Sequence, residues 1–496
     1  MRPARAVALA LGGCVVTALC LGGPGTRAQA DPLPIPPLPT DLLSQPFSGS
    51  PATPKPIPGL WNPQNPHLAP NGTSSMHNDA YGTNAYPVSG PLGRDLQVRS
   101  ATYGVSECAT IAFDSRGRIV GLCGGLGGFT MRLLDPDTLR QVAALRTSTR
   151  DPTSLSNPFT DLCGGTYFYL DDHDRAYVLT TRKQVWVVQV TTHGLRHVGT
   201  YDLSSAVPGK DCAIATMPGW SGNIFFATQQ GRVGVIDHDT GSVKTMQFPG
   251  QQIDNSISDD ESGAVYVVTD HRLAAVAADA SGAPYVRWSR PYDRGSRRKP
   301  GQLSQGSGTT PTLVGRHLVA ITDNADPRMH VQFYRRNGPD AGRLMCSVPV
   351  FAAGASDTEN TLAEAGHSVI VENNYGYRGV QSTTLGHSTS PGVARVVYDH
   401  GSCHVAWTSP VTAPTSVPKV SLGNGLVYVY AKPRSNPLED NWYLTAIDVR
   451  TGRTVWQQRT GNGIQWNNHY ASIYLGPDGA AYIATLAGLV RFADGG

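Results

Sequence analysis

Beyond residue 94 the chain is a succession of units of roughly 43 to 60 residues, each made of three or four short apolar-alternating runs separated by turn signals. No other property of the sequence constrains the fold as strongly, because a four-stranded unit of that size cannot bury both faces alone and is satisfied when neighbours stack into a closed ring of blades. The first strand of each unit begins at a polar residue followed by small or apolar ones. These starts are Glu107-Cys108-Ala109, Thr160-Asp161-Leu162-Cys163, Lys210-Asp211-Cys212, Asp254-Asn255-Ser256, Thr309-Thr310-Pro311, Glu359-Asn360-Thr361, Pro418-Lys419-Val420 and Asn467-Asn468-His469, which makes eight units. The second strands carry the strongest β signal, as in Ala264-Val265-Tyr266-Val267-Val268 and Leu426-Val427-Tyr428-Val429, where β-branched and aromatic residues follow turn formers.

The last unit shows three strands before the chain reaches Gly496, while Asp95-Leu96-Gln97-Val98-Arg99-Ser100 forms a strand with no inner strands of its own. Pairing this segment with the last unit removes the edges that an open ring would leave. The expected fold is all-β, an eight-bladed β-propeller over residues 95–496 closed by an N-terminal clasp strand.

Ala446-Ile447-Asp448-Val449-Arg450-Thr451-Gly452-Arg453-Thr454-Val455-Trp456 resembles the tryptophan-docking repeat of the quinoprotein (PQQ-like) propeller superfamily, in which Ala, Asp, Thr-Gly and Trp recur at these spacings. Weaker echoes are Val235 to Gly241 and the outer-strand residues Trp288 and Trp407. The resemblance implies the architecture. It leaves function open, because the superfamily holds alcohol and sugar dehydrogenases carrying pyrroloquinoline quinone as well as cofactor-free assembly scaffolds. A quinoprotein dehydrogenase needs a carboxylate base, Ca²⁺ ligands and a flat aromatic floor. Glu107, Asn255 and Glu359 match the ligand types, but the sequence identifies no stacking tryptophan, and the adjacent-cysteine pair of several such enzymes is absent.

Ahead of the repeats, Met1 to Arg5 is basic, Ala6 to Gly22 is uncharged, and Ala28-Gln29-Ala30 precedes Asp31. This is the layout of a secretory signal peptide cut after Ala30, so the protein is expected to be secreted or held at the cell envelope. Residues 31–70 contain 13 Pro in 40 residues and read as an extended spacer outside any core. Residues 71–94 form a lead-in. Within it, Met76-His77-Asn78-Asp79-Ala80-Tyr81 concentrates ligand-type side chains, and His77 and Asp79 are candidates for a site formed by folding over the propeller. A formal charge of +3 from 40 Lys+Arg and 37 Asp+Glu argues against a nucleic-acid partner.

The six cysteines beyond Ala30 are expected to pair. Cys108 and Cys123 flank one hairpin, Cys163 and Cys212 sit at equivalent inner-strand starts, and Cys346 and Cys403 sit at similar outer-strand positions of adjacent blades. Their expected role is stapling.

Inner-strand starts converge on the mouth of a propeller channel. The mouth is therefore expected to present Glu107, Asp161, Asp211, Asp254, Asn255, Thr309, Glu359, Asn360, Lys419, Asn467 and His469. Oxygen donors in such a ring suit Ca²⁺ or sugar hydroxyls. The function expected is binding of a polar small molecule or polysaccharide, or a metal. If the same mouth is catalytic as a glycoside hydrolase, Asp161, Asp211 and Glu359 are the natural carboxylates. A third reading is an envelope scaffold that binds a protein partner. Glu372 to Tyr377 opens an insertion reaching about Gly392, a candidate ligand-contact loop. Arg297-Arg298-Lys299 reads as a solvated loop, and Gly124 to Gly128 as a hairpin, not a phosphate loop.

Overall fold

The computed structural model describes residues 31–37, 46–125, 127–150, 162–164 and 167–495. Eight sheets form eight blades, antiparallel throughout except where Ala85–Tyr86 pairs in parallel with Lys419–Ser421. Blade 1 comprises Ser106–Phe113, Ile119–Gly125, Gly128–Leu134 and Gln141–Thr149, and the next six blades repeat this inner-to-outer order. The inner strands of blades 2 to 7 are Phe168–Leu170, Ala213–Pro218, Ser258–Asp259, Thr312–Val314, Ala363–Glu364 and Lys419–Ser421. Blade 8 contains Ile473–Leu475, Ala481–Thr485 and Gly488–Ala493, and Gln97–Thr102 supplies its outer strand, with Val98 opposite Phe492 and Ala101 opposite Leu489. The ring is thus closed by the expected clasp.

All eight second strands lie where β-branched and aromatic residues cluster, and they are almost wholly buried because neighbouring blades cover both their faces. Outer strands alternate instead. Leu195–Asp202 and Ser402–Ser409 have one covered and one wet face. Tryptophan docking links successive blades. The Trp407 indole N–H of blade 6 donates to the Val449 carbonyl of blade 7 at 2.8 Å, against Gly452 (φ +72°), where a Cβ would stand 2.6 Å from the indole. Trp288 of blade 4 makes the same move on blade 5, donating to the Arg336 carbonyl at 3.2 Å beside Gly342. No helix among the described residues is long and apolar enough to cross a membrane.

Two expectations need correcting. Inner strands of blades 4, 5, 6 and 8 begin at Ser258, Thr312, Ala363 and Ile473, so Asp254, Thr309, Glu359 and Asn467 occupy approach loops just ahead of their strands. Of these, Asp254 and Glu359 line the central cavity, while Thr309 meets the Ser307 hydroxyl at 2.9 Å and accepts from Thr322 N–H at 3.2 Å. The Pro-rich segment is also no free spacer. Ile35 and Leu68 are buried, and Phe47–Gly49 forms a fifth strand on blade 7. The Lys55 and Ile57 N–H groups donate to Asn424 and Leu422 of that blade, Trp61 lies under the Arg316 guanidinium of blade 5, and Asn65 donates to Pro218 of blade 3. Proline keeps this strap extended, and the N–H groups that remain seek acceptors on blade ends. Residues 1–30, with the expected signal peptide and its cleavage site, lie outside the described residues.

All three expected disulfides are present: Cys108–Cys123 across the first hairpin, Cys163–Cys212 between blades 2 and 3, and Cys346–Cys403 between outer strands of blades 5 and 6. We expect none of these six cysteines to take up iodoacetamide before reduction. Replacing Cys108 and Cys123 together by Ala, which opens a bridge of sequence separation 15, should cost about 3 kcal/mol in a urea titration.

Candidate functional site

The channel has two unlike ends. At the ends of the inner strands, the lead-in runs round the interior of the ring and accepts one backbone bond after another. Phe113 N–H of blade 1 donates to Thr73, Leu170 of blade 2 to Ser74, Asp259 of blade 4 to Ala80, Leu313 of blade 5 to Tyr81, Glu364 of blade 6 to Thr83, and Val420 of blade 7 to Asn84. Met76 to Tyr86 are all buried. The lead-in is therefore a plug that closes one mouth, and the channel is left as a blind cavity opening at the strand starts.

The plug's two candidate site residues, His77 and Asp79, both have buried partners. His77 Nδ1 faces the Asn84 side-chain oxygen at 3.2 Å, and that oxygen also accepts from Lys419 Nζ. Nδ1 must then carry the imidazole proton, which leaves Nε2 to accept from the Thr310 hydroxyl at 3.3 Å. Burial first, and the Lys419 charge second, push the His77 pKa down to about 3. Burial raises Asp79 to about 6 although it accepts from Thr83 N–H at 3.0 Å and from Asn62 at 2.9 Å.

Above the plug lies a cavity of about 160 Å³. It collects Glu107 of blade 1, Asp254 and Asn255 of blade 4, Glu359 and Asn360 of blade 6, His469 of blade 8 and His77 of the plug. The sequence thus foresaw seven of the polar groups on this wall. Ser106, Arg150 and Thr361 also line it, and the rest of the wall is mostly apolar, with Leu122, Phe129, Tyr167, Leu303, Val417 and Tyr470. Gly124 and Gly125 complete it, and a Cβ on Gly124 would stand 2.9 Å from the Phe129 ring.

These surroundings favour the neutral form of a carboxyl. Burial pushes Glu359 well above the usual carboxylate range, and the nearby Asp254 adds to it against the opposing bonds from Leu303 N–H and Asn255. Burial does the same to Glu107 and raises Asp254, which lies beside Ser304 and Gln229. Glu359 Oε2 accepts from Leu303 N–H at 3.1 Å, and the Glu359 N–H donates to Asn374 Oδ1 at 2.9 Å. Asn360 donates to Glu372, a second buried carboxyl raised by burial. The mouth that reads as acidic thus offers, at Glu107 and Glu359, carboxyls biased toward O–H donors beside amide groups on a largely apolar wall.

Other expected site residues are engaged elsewhere. Asp211 accepts from the Thr228 hydroxyl at 2.7 Å and from the N–H groups of Cys212 and Gln230 at 2.9 and 3.0 Å. It braces blade 3 and does not line the cavity, so a carboxylate pair of Asp211 and Glu359 is not assembled. Asp161 lies outside the described residues. Lys419 is wholly buried, its pKa pushed well down by burial, and its Nζ donates to the Met76 carbonyl at 2.6 Å and to Asn84. It serves the plug because a strand three residues long turns it inward below the mouth. Asp79 likewise belongs to the plug. Asn467 holds the loop of blade 8, accepting from His469 N–H at 2.7 Å and donating to Thr383 at 2.8 Å.

His469 and Tyr470 are consecutive non-glycine residues in the left-handed region, φ 37° and 70°, a costly arrangement that persists where the surroundings fix it. Tyr470 donates to the Gly301 carbonyl at 2.9 Å and accepts from Asn374 at 3.2 Å, while Tyr377 meets His469 Nδ1 at 2.9 Å. This aromatic group, with Leu162, Asp254 and Leu303, also borders a second, outer cavity of about 880 Å³. The outer cavity is polar and is walled by residues 297–303 and 375–381. The insertion after Glu372 therefore lines a cavity, and so does the basic run expected to be a plain solvated loop. Neither Tyr470 nor Leu303 carried any signal in the sequence.

Asp171, Asp172 and His173 are the one group among the described residues whose acidic or imidazole ligand atoms all come within 4.8 Å. Asp171 is already committed to Arg175 at 2.6 Å and to His173 N–H at 2.9 Å. Glu107, Asp254 and Glu359 form no such group, so the donor set does not make a Ca²⁺ site of three carboxylates. For a quinone the fit also fails. None of the chain's 8 tryptophans lines either cavity, so the wall has no indole floor.

The sequence matches no established protein-family profile. An uncharacterized protein of Archaeoglobus fulgidus is 28% identical over 330 residues, covering 60% of this chain and 63% of that relative. The chain thus spans less than two thirds of that relative's length. The quinohemoprotein alcohol dehydrogenase of Comamonas testosteroni superposes with a TM-score of 0.56 at 11% identity, covering 87% of this chain and 80% of that one. The shared feature is the eight-bladed propeller. A streptogramin B lyase structure superposes over 64% of this chain and 87% of that one, at 10% identity and a TM-score of 0.37, too low to bear on the argument.

Proposed function

We propose that this propeller is an exported ligand-binding protein that takes a polyhydroxylated small molecule, a carbohydrate, into the blind central cavity. The observation that carries the reading is the convergence of Glu107, Asn255, Glu359, Asn360, His77 and His469 on one mostly apolar wall above a sealed plug. A sugar ring has apolar C–H faces and hydroxyl edges. Tyr167, Phe129 and Tyr470 offer the first a surface, and neutral carboxyls and amides offer the second both donors and acceptors. Export is supported by the leader-like start of the sequence and by the three disulfides. The scaffold reading has less support, because exposed large apolar side chains such as Val198, Tyr285 and Leu344 fall on separate blades.

The test is thermal denaturation of the protein against Ca²⁺, Mg²⁺, pyrroloquinoline quinone and a set of oligosaccharides. A sugar present at a hundredfold excess over its Kd should add about 2.7 kcal/mol of apparent stability. Glu359→Gln keeps the shape and neutrality of the side chain but exchanges its single O–H donor for an amide. It should leave Tm nearly unchanged and weaken sugar binding about tenfold. A shift seen with quinone plus Ca²⁺ and with no sugar would overturn the reading.

A further inference from the structure

The two cavities are contiguous, sharing Leu162, Asp254, Leu303, His469 and Tyr470, yet their chemistry differs sharply. The inner one is largely apolar, with buried hydrogen-bonding groups and one guanidinium, Arg150, lying over the Phe129 ring. The outer one carries the exposed guanidinium groups of Arg297, Arg298 and Arg378. These groups are largely unspent. Arg298 donates once, to the Leu303 carbonyl at 3.1 Å, and the side chains of Arg297 and Arg378 have no hydrogen-bond partner among the described residues. Lys299, by contrast, is buried and committed to the Ala325 and Ser356 carbonyls at 2.6 and 3.2 Å, so it offers nothing to a visitor. Asp254, at the junction, is the one carboxyl of the outer wall. Asp326 stands behind Arg297, tied to Ser296 N–H and hydroxyl at 2.7 Å each, and offsets part of that charge.

A ligand reaching the inner cavity passes this basic vestibule. A cation is repelled there, and an anionic group carried farther in meets a single guanidinium, Arg150 over the Phe129 ring, on a wall that otherwise disfavours charge. The arrangement suits a bipartite ligand, with a negative group outside and a neutral ring inside. Guanidinium forks match carboxylate and phosphate oxygens in pairs, and Tyr375 and Gln381 on the same wall add neutral hydrogen-bonding groups.

We infer that the ligand is an acidic saccharide, its carboxylate or phosphate held by Arg297, Arg298 and Arg378 in the outer cavity and its neutral ring seated in the inner one. The inference rests on the carbohydrate reading above and deepens it.

The test is calorimetric titration of the full chain with matched probes: oligosaccharides that are neutral, that end in a uronic acid, or that end in a sugar 6-phosphate. The uronate and phosphate arms separate the two sources of charge. At least one acidic series should bind tenfold or more tightly than its neutral counterpart. The preference should shrink as NaCl is raised and disappear in the triple variant Arg297→Ala/Arg298→Ala/Arg378→Ala, whose exposed positions leave Tm unchanged. Glu359→Gln should weaken acidic and neutral probes alike. Equal binding of neutral and acidic probes, insensitive to the triple variant but lost in Glu359→Gln, would overturn the inference and leave the carbohydrate reading standing. No binding of any probe by a folded protein would overturn both.

Discussion

Arg336→Ala should destabilise the protein by about 3–5 kcal/mol in a urea titration and expose the plug to proteolysis. The Arg336 guanidinium is wholly buried on blade 5 and paired with Asp260 of blade 4. It also donates to the Tyr81 hydroxyl of the plug at 2.7 Å and to the Gly315 carbonyl at 3.2 Å, and it lies 4.9 Å from the centre of the Tyr81 ring. Tyr266 adds a bond to Asp260 at 2.8 Å, and Tyr81 reaches Glu261. Truncation leaves a buried carboxylate without its cation and frees the plug from two blades at once, so the cost is that of an orphaned charge, not of one lost hydrogen bond. Arg336→Met combined with Asp260→Leu removes both charges and should cost less than Arg336→Ala alone. If the double variant is the less stable, desolvation is not the dominant cost.

The melting temperature should fall as pH rises from about 5 to about 8. Glu364, buried beneath the strap with Leu60 N–H at 3.4 Å, has its pKa raised from 4.5 to about 8, by burial first and then by Asp79. A carboxyl whose pKa is higher in the folded chain than in the unfolded one adds stability below its unfolded value and loses it as pH climbs through the folded one. For Glu364 the loss spans the interval from 4.5 to about 8 and amounts to something on the order of 4 kcal/mol. Asp79, raised from 3.8 to about 6, acts the same way at lower pH. His77 acts oppositely. Its pKa is lowered from 6.5 to about 3, so its contribution is complete above 6.5 and declines as pH falls toward 3. Asp79 and His77 largely offset each other between about 4 and 6.5, and above 6.5 the raised carboxyls pull stability down while Lys419, held well below the usual lysine range by burial, opposes them. Glu364→Gln should flatten the fall between pH 6.5 and 8. A wild-type melting temperature that stays level across that interval would mean that these carboxyls are not buried in neutral form.

Much of the ring was legible from local pattern. Strand type, blade number, the clasp and the cysteine pairs follow from periodicity and from equivalent positions in successive units, which the fold repeats faithfully. The site was legible to the extent that it sits on repeated positions: Glu107, Asp254 and Glu359 converge because each begins the inward run of its own blade. What escaped was everything contributed by segments outside the repeat. The plug has no periodicity of its own. Its residues are fixed by acceptors spread over the ring, and nothing local distinguishes His77, which lines the cavity, from Asp79, which does not. Asp211 looks like Glu359 in sequence, yet a bulge-shifted inner strand pairs it with Thr228. Protonation was also hidden, because it depends on what surrounds each carboxyl.

The threaded plug also bears on how the molecule can be made. Synthesis delivers residues 73–84 early, but the groups that will bind them arrive blade by blade, the Thr73 carbonyl waiting for Phe113 and the Asn84 carbonyl waiting for Val420. The strand Gln97–Thr102 finds its partner only when Gly488–Ala493 exists. The ring is therefore assembled around its own beginning, like a bead cast on a wire, and its interior is filled before its circumference can close. Contacts of such long sequence separation slow folding, and a nascent chain must keep an unpaired stretch of backbone carbonyls out of wrong partnerships until the last blade has formed.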